Sequence, residues 1–170
     1  MKIKDMIRDI PDFPKKGILF KDITTLINDK KAFRSVINKL ARVYKDKKLD
    51  YIVAAESRGF IFAAPLAYKL NCGFVPIRKP GKLPAPVYKE SYSLEYGINT
   101  IEMHKDAFPK GSKVLVLDDL LATGGTALAM TKLLKKLQAK IQGIAFIVEL
   151  DFLGGRKKFK NYPIFSLIHY

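Results

Sequence analysis

Apolar residues along this chain switch between two spacings, and the switches mark out its elements. Over 29–47 (DKKAFRSVINKLARVYKDK), Phe33, Val36, Ile37, Leu40, Ala41 and Val43 recur at helical intervals, mostly on one face, with Asp29 placed to cap the first turn. YIVAA (51–55) is a short β-prone run closed by ESRG. FIFAAPLAYKLN (60–71) then predicts a largely buried helix, and FVPI (74–77) a second strand. VYKESYSLEYGINTIEMH (87–104) alternates polar and apolar residues about EYG, the pattern of a β-hairpin projecting from the body. KVLVLDD (113–119), TALAMTKLLKKLQ (126–138) and IQGIAFIVEL (141–150) repeat strand, helix, strand, and PIFSLIHY (163–170) adds a last strand. This alternation predicts one α/β domain with a mainly parallel sheet flanked by helices, a Rossmann-like arrangement.

Composition narrows the class without naming a function. At 170 residues and 48% hydrophobic side chains the chain can bury a core as a single domain. No run approaches the ~20 apolar residues of a membrane span, and MKIKDMIRDIPDF lacks a signal-peptide core, so a cytoplasmic protein that does not engage membranes is expected. A lone cysteine, Cys72, excludes an internal disulfide and a thiolate-held metal and is read as a small packing residue. Lys and Arg number 31 against 16 acids, a net charge of +15, but the lysines are scattered and form no dense block. That reads as a solvated surface, KLLKKLQAK (132–140) included, rather than a nucleic-acid element. Neither His104 nor His169 has an acid or cysteine at ligand spacing.

In open parallel sheets ligands collect beyond the carboxyl ends of the strands, where strand order reverses. Two segments fall at such ends: ESRG (56–59) and DDLLATGGT (118–126). In ATGGT two glycines permit close backbone approach, Thr123 and Thr126 carry hydroxyls, and a helix starts at once, so amides and a positive helix end converge as a phosphate monoester requires. No GxxxxGK[ST] and no GxGxxG is present, which counts against ATP hydrolysis and dinucleotide chemistry. Alone, TGGT is as often a plain strand-to-helix turn. Asp118 and Asp119 precede it at the mouth of the sheet; neighbouring strand residues face opposite ways, so both can aim inward only if the strand ends there. They suit two vicinal hydroxyls, a Mg²⁺ held through water, or, for one of them, a helix cap.

Four apolar strand residues, two acids and then xxATGGT make a far more specific pattern than either half. VLVLDDLLATGGT (114–126) resembles the phosphoribosyl diphosphate (PRPP) signature of the type I phosphoribosyltransferase family. IPDFPKKGILFKDIT (10–24), AAESRGFIF (54–62), RKPGKLP (78–84), SYSLEYG (91–97), and GRKKF and PIFSLIHY near the end are similar to its adenine-using branch, so the likeness covers essentially the whole chain. The resemblance implies the family's fold, with a small N-terminal hood at about 1–28 and a flexible hairpin lid at about 86–104, and a homodimer. It implies purine salvage by transfer of phosphoribose from PRPP to adenine, giving AMP and diphosphate, with Mg²⁺ held mainly by PRPP itself.

By the same resemblance Ala122, Thr123, Gly124, Gly125 and Thr126 would cradle the 5′-phosphate, and Asp118 and Asp119 would meet the ribose. Ser57, Arg58 and Gly59, with Arg78, Lys79 and Lys82, would take the diphosphate, in a loop that often carries a cis peptide between the residues matching Glu56 and Ser57. Pro80 stands where other members can carry a basic residue. Adenine would lie against Phe20, its edge read by the backbone of Leu19 and Lys21, with Leu120 on the far side. Tyr92, Glu95 and Tyr96 would belong to the lid, with Glu95 as the catalytic carboxylate, taking a proton from the purine or stabilising positive charge. Two other readings stand beside this one: a relative acting on a 6-oxopurine, against which FPxxGILF argues, and a purine-responsive nucleic-acid regulator, for which no appended DNA reader is visible.

Overall fold

The computed structural model describes residues 2–93 and 97–170, and the chain divides into two compact units, 1–42 and 43–170. In the first, β1 (Arg8–Pro11) pairs antiparallel with β2 (Leu19–Asp22), and α1 (Thr24–Asn28) follows. Asp22 ties this corner together: its Oδ1 accepts from the Thr24 amide at 2.9 Å and its Oδ2 from Arg8 Nη2 at 2.6 Å. α2 (Lys30–Tyr44) begins as its sequence predicts, with Asp29 Oδ1 accepting from the amides of Lys31 and Ala32 at 2.9 and 2.8 Å. Ala32, Val36, Ile37, Leu40 and Ala41 form its buried stripe.

The second unit is built on a five-stranded parallel sheet. β3 (Tyr51–Ala55) leads through α3 (Arg58–Leu70) to β4 (Gly73–Ile77). A hairpin follows, β5 (Val87–Ser93) with β6 (Ile98–His104). Then β7 (Lys113–Leu121), α4 (Gly125–Lys136), β8 (Lys140–Glu149) and β9 (Ile164–His169) complete the sheet in the order β4-β3-β7-β8-β9. Val53, Val114, Val116, Ile144 and Phe146 are fully buried. Such strands read as continuous apolar runs because both faces of a parallel sheet are covered. From β3 the chain steps outward to β4, and from β7 it steps the other way to β8, so the strand order reverses between β3 and β7.

Two expectations need correction. β7 does not stop at the acids but runs on to Leu121, pairing Asp118 with Phe146 and Leu120 with Val148 of β8. Its other neighbour has already gone, since pairing with β3 ends at Ala54 and Leu117. The acids therefore sit on a strand with one side uncovered, and no turn is needed to open them to the cleft. The hairpin, for its part, does not simply project. Ile101 and Met103 are buried in the core of this unit, and Lys132 and Lys136 of α4 reach Glu90 of β5 at 3.2 and 3.0 Å. Two lysines read as solvated are thus the hairpin's attachment to the helix. Burial works against the Glu90 carboxylate, and the two lysines overcome it, holding its pKa below the usual range.

Candidate active site

At the strand reversal lies a cleft of about 830 Å³, with a side chamber of about 230 Å³ along the turn into α4. The cleft is lined from the β3–α3 turn by Ser57 and Arg58, from β7 by Asp118 and Asp119, and from the hairpin by Tyr92 and Ile98. The side chamber is lined by Leu120 and the turn 122–126. Gly124 caps α4 at φ 80°, which an L side chain rarely adopts, and its position leaves the first-turn amides of the helix without helical acceptors. Those amides and the helix's positive end form an anion seat next to two acids.

The acids differ in surroundings. Arg58 Nε is 2.9 Å from Asp119 Oδ2, while Asp118 Oδ1 accepts from the Asp119 amide at 2.9 Å. Burial, and then the adjacent Asp119 charge, push the Asp118 carboxyl well above the ordinary carboxylate range. Arg58 opposes the same effect of burial on Asp119. The pair thus resists ionisation more than an isolated acid does, and the effect is stronger on Asp118, the member without the guanidinium.

On the opposite wall Glu56 organises the basic loop that follows β4. Its Oε2 accepts from Arg78 Nε and Nη2, each at 3.3 Å, its Oε1 accepts from the Lys79 amide, and Lys82 Nζ stands 3.6 Å away. Burial alone would raise this carboxyl, but the Lys79 amide and the Arg78 and Lys82 charges bring it below its usual range. A second acid, Glu102 of β6, accepts from the Gly81 amide at 3.1 Å and pairs with Lys89 at 2.8 Å.

A family model described as the phosphoribosyl transferase domain matches residues 24–168. The chain belongs to the phosphoribosyl transferase family. An adenine phosphoribosyltransferase of Brachyspira hyodysenteriae is 56% identical over 170 residues, 100% of either chain. The crystal structure of adenine phosphoribosyltransferase from Thermoanaerobacter pseudethanolicus is 55% identical, covering 99% of this chain and 98% of its own, with a TM-score of 0.96. That of the Saccharomyces cerevisiae enzyme, complexed with an imino-altritol bisphosphate and adenine, is 42% identical over 98% and 96%, with a TM-score of 0.92.

Within this phosphoribosyl transferase fold the sequence-predicted residues are not all gathered at one place. Ser57, Arg58, Lys79, Lys82, Tyr92, Asp118, Asp119 and the turn 122–126 line the cleft and its side chamber, as does Leu120. Arg78 is turned to Glu56 and forms a backbone bridge with Glu102, so its charge supports the loop instead of facing the cleft. Gly59 is buried in a tight place: a Cβ would come 3.1 Å from Asp118 Oδ1 and 3.4 Å from the Leu117 carbonyl oxygen. It stands where α3 packs closely against β7 and is not among the residues lining the cleft. The Glu56–Ser57 peptide is cis. Leu19, Phe20 and Lys21 lie on β2 in the first unit. There Leu19 is half exposed, Phe20 meets Phe13 edge-on at 5.1 Å, and Lys21 Nζ is held by Asp9 at 2.7 Å. Glu95 and Tyr96 lie outside the described residues.

Sequence reasoning missed several contributors. Glu56 sits inside the quoted ESRG, yet only its distance from Arg78 in space reveals it as an anchor. Gly155 and Phe159 buttress the anion turn, with Gly155 O 3.0 Å and Phe159 Cε2 3.1 Å from where a Gly124 Cβ would stand. The pair of glycines after Leu153 was the available signal. His169, assigned no acidic neighbour, has Asp151 Oδ1 at 2.9 Å and Glu149 Oε2 at 3.9 Å, because β8 and β9 end side by side.

Proposed function

We propose that this protein transfers the 5-phosphoribosyl group of PRPP to adenine, forming AMP and diphosphate. The observation that carries the reading is the cleft at the β3–β7 reversal. In it an amide-lined helix start and a carboxylate pair face a basic wall, in a chain matched end to end by adenine phosphoribosyltransferases. A monoester in the turn 122–126 places the ribose diol at Asp118 and Asp119. The diphosphate then lies toward Ser57, Arg58, Lys79 and Lys82, and C1′ lies between. The diol's hydroxyls donate to the acids, which favours the ionised pair against the effect of burial.

The transfer breaks the C1′–diphosphate bond and forms the bond to the purine nitrogen, through a ribosyl centre of oxocarbenium character. Arg58, Lys79 and Lys82 take up charge developing on the departing diphosphate. Glu95 takes the purine proton or offsets the positive charge at C1′. By the family resemblance, the backbone of Leu19 and Lys21 reads the purine edge and Phe20 lies on its face. A carbonyl acceptor at the 6-amino group leaves a 6-oxo purine with two oxygens opposed, which is the basis of base selection.

Mg²⁺ fits this site. The acid pair is an all-oxygen donor set, and buried Asp119 Oδ2 has an ion pair with Arg58 but no aligned hydrogen bond among the described residues. Asp118 and Asp119 would hold the ion through water, and when bound with PRPP it neutralises diphosphate charge. A cytoplasmic homodimer completes the proposal, supported by the family resemblance. The test is purified protein with PRPP, Mg²⁺ and each purine base: AMP from adenine, with little product from hypoxanthine or guanine, is expected. Hypoxanthine turnover equal to adenine's, or no turnover of adenine, would overturn it.

A further inference from the structure

Tyr92, near the end of β5, touches the anion turn at two points. Its Oη accepts from Thr126 Oγ1 at 3.0 Å, and its ring lies where a Cβ on Gly125 would meet Cδ2 at 3.2 Å. Both residues line the same cleft. Thr126 is the second residue of α4, so its hydroxyl stands among the free amides of the first turn. A hydroxyl has one proton to give and lone pairs to receive another. While Thr126 gives its proton to Tyr92, it offers an incoming phosphate only lone pairs, and those repel it. The arrangement becomes favourable when the bond reverses: Tyr92 O–H donates to Thr126 Oγ1, and Thr126 donates to the phosphate.

We propose that Tyr92 is a positioning residue for the phosphate monoester. It holds the Thr126 hydroxyl as a donor toward the anion and ties the hairpin to occupancy of that subsite. Donation by Tyr92 polarises the Thr126 hydroxyl, so the two bonds strengthen one another. The hairpin can register the change because its root is already fixed to the same helix. Glu90 takes Lys132 and Lys136, and Lys136 Nζ donates to the Lys89 carbonyl at 2.7 Å. Filling the turn therefore strengthens the attachment on the cleft side, beside one that does not depend on the anion. This rests on the proposed function only in identifying the anion as a sugar phosphate.

The experiment uses ribose 5-phosphate as probe, with calorimetry on the unmodified protein, Tyr92→Phe, Thr126→Val and the double variant. Tyr92→Phe keeps the ring and removes one hydroxyl, so about two- to tenfold weaker binding is expected. Adding Tyr92→Phe to Thr126→Val should cost nothing further, since the bond is already gone. Hydrogen exchange of the amides in 87–93 and 98–104 should slow on ligand binding in the unmodified protein and not in Tyr92→Phe. Unchanged affinity in Tyr92→Phe, additive losses, or harm from Tyr92→Ala alone would reduce Tyr92 to packing and overturn the proposal. If AMP formation from adenine persists in that case, the functional reading survives. Failure of the unmodified protein to bind ribose 5-phosphate would sink both.

Discussion

Adding one methyl group at Gly155 should disable the phosphate turn from behind. Gly155 opens the short helical turn Gly155–Phe159, is buried, and has no left-handed backbone to protect, so alanine costs nothing in φ. Its Cβ, however, would fall inside the contact shell of the Ala122 carbonyl oxygen, with Leu121 Cδ1 at 3.0 Å and Thr123 C at 3.1 Å. Two of these three neighbours are backbone, and real Cβ atoms essentially never approach within 3.0 Å, so the segment 121–123 must yield by about 1 Å. Overpacking of this kind costs about 1–3 kcal/mol of stability. The catalytic cost is of similar size, about 2.7 kcal/mol, because a displacement of about 1 Å in a substrate-positioning group can lower the rate by roughly 100-fold. Steady-state kinetics with PRPP varied at saturating adenine, beside a thermal melt, separates the two. Gly155→Ala is expected to remain folded with a lower Tm and to lose about 100-fold in kcat/KM for PRPP. A kcat/KM for PRPP within about twofold of the parent would show that the turn is not positioned by this contact.

Two further substitutions probe separate links. Glu95→Gln removes the proposed base or charge partner and should lower kcat by about tenfold or more while PRPP KM stays near its parent value; an unchanged kcat would remove Glu95 from the mechanism. Asp22→Asn tests stability: the Thr24 amide, and then the Arg8 guanidinium, lower the Asp22 pKa from 3.8 to about 2. The folded pKa lies below the unfolded one, so this carboxylate stabilises the fold above pH 4 and stops doing so as pH falls toward 2. The parent's Tm should therefore drop more steeply than the variant's over that window, and parallel curves would refute the assignment.

The sheet was legible because each strand of it carries its own signal. β3, β7 and β8 are continuous apolar runs, and the helices between them keep a clean stripe, so neither needs long-range information. The end of β7 was not legible. Asp118 and Asp119 interrupt the apolar run as a strand end would, yet backbone pairing to β8 continues past them regardless of side-chain polarity. The anion turn and the acids could be read because their chemistry is local. What could not be read depends on partners far apart in sequence: Glu56 with Arg78, Glu90 with Lys132 and Lys136, Gly155 with Ala122, Tyr92 with Thr126. The N-terminal pairing of β1 with β2 had no alternation strong enough to announce it, since only Ile10, Phe20, Lys21 and Asp22 of its residues are more than superficially covered.

Charge shows why those distant pairings matter to function. The net +15 cannot by itself account for affinity toward a polyanion, because among the described residues the charged side chains lining the main cleft balance: Arg58, Lys79 and Lys82 against Glu56, Asp118 and Asp119. Discrimination must come from how the six are engaged. Glu56 is spent on its own loop, where Arg78 supplies a cation that does not face the cleft, so little of its negative charge reaches a ligand. Burial and the adjacent Asp119 charge work against ionisation of Asp118, and Asp119 is offset by Arg58. A balanced set of side chains thus presents a positive surface to an arriving phosphorylated sugar. Hydroxyls donating to the acids then favour their ionised forms once it is seated. Removing Arg78 would accordingly unmask Glu56 toward the cleft, and a guanidinium that need not touch PRPP still governs how strongly PRPP is drawn in.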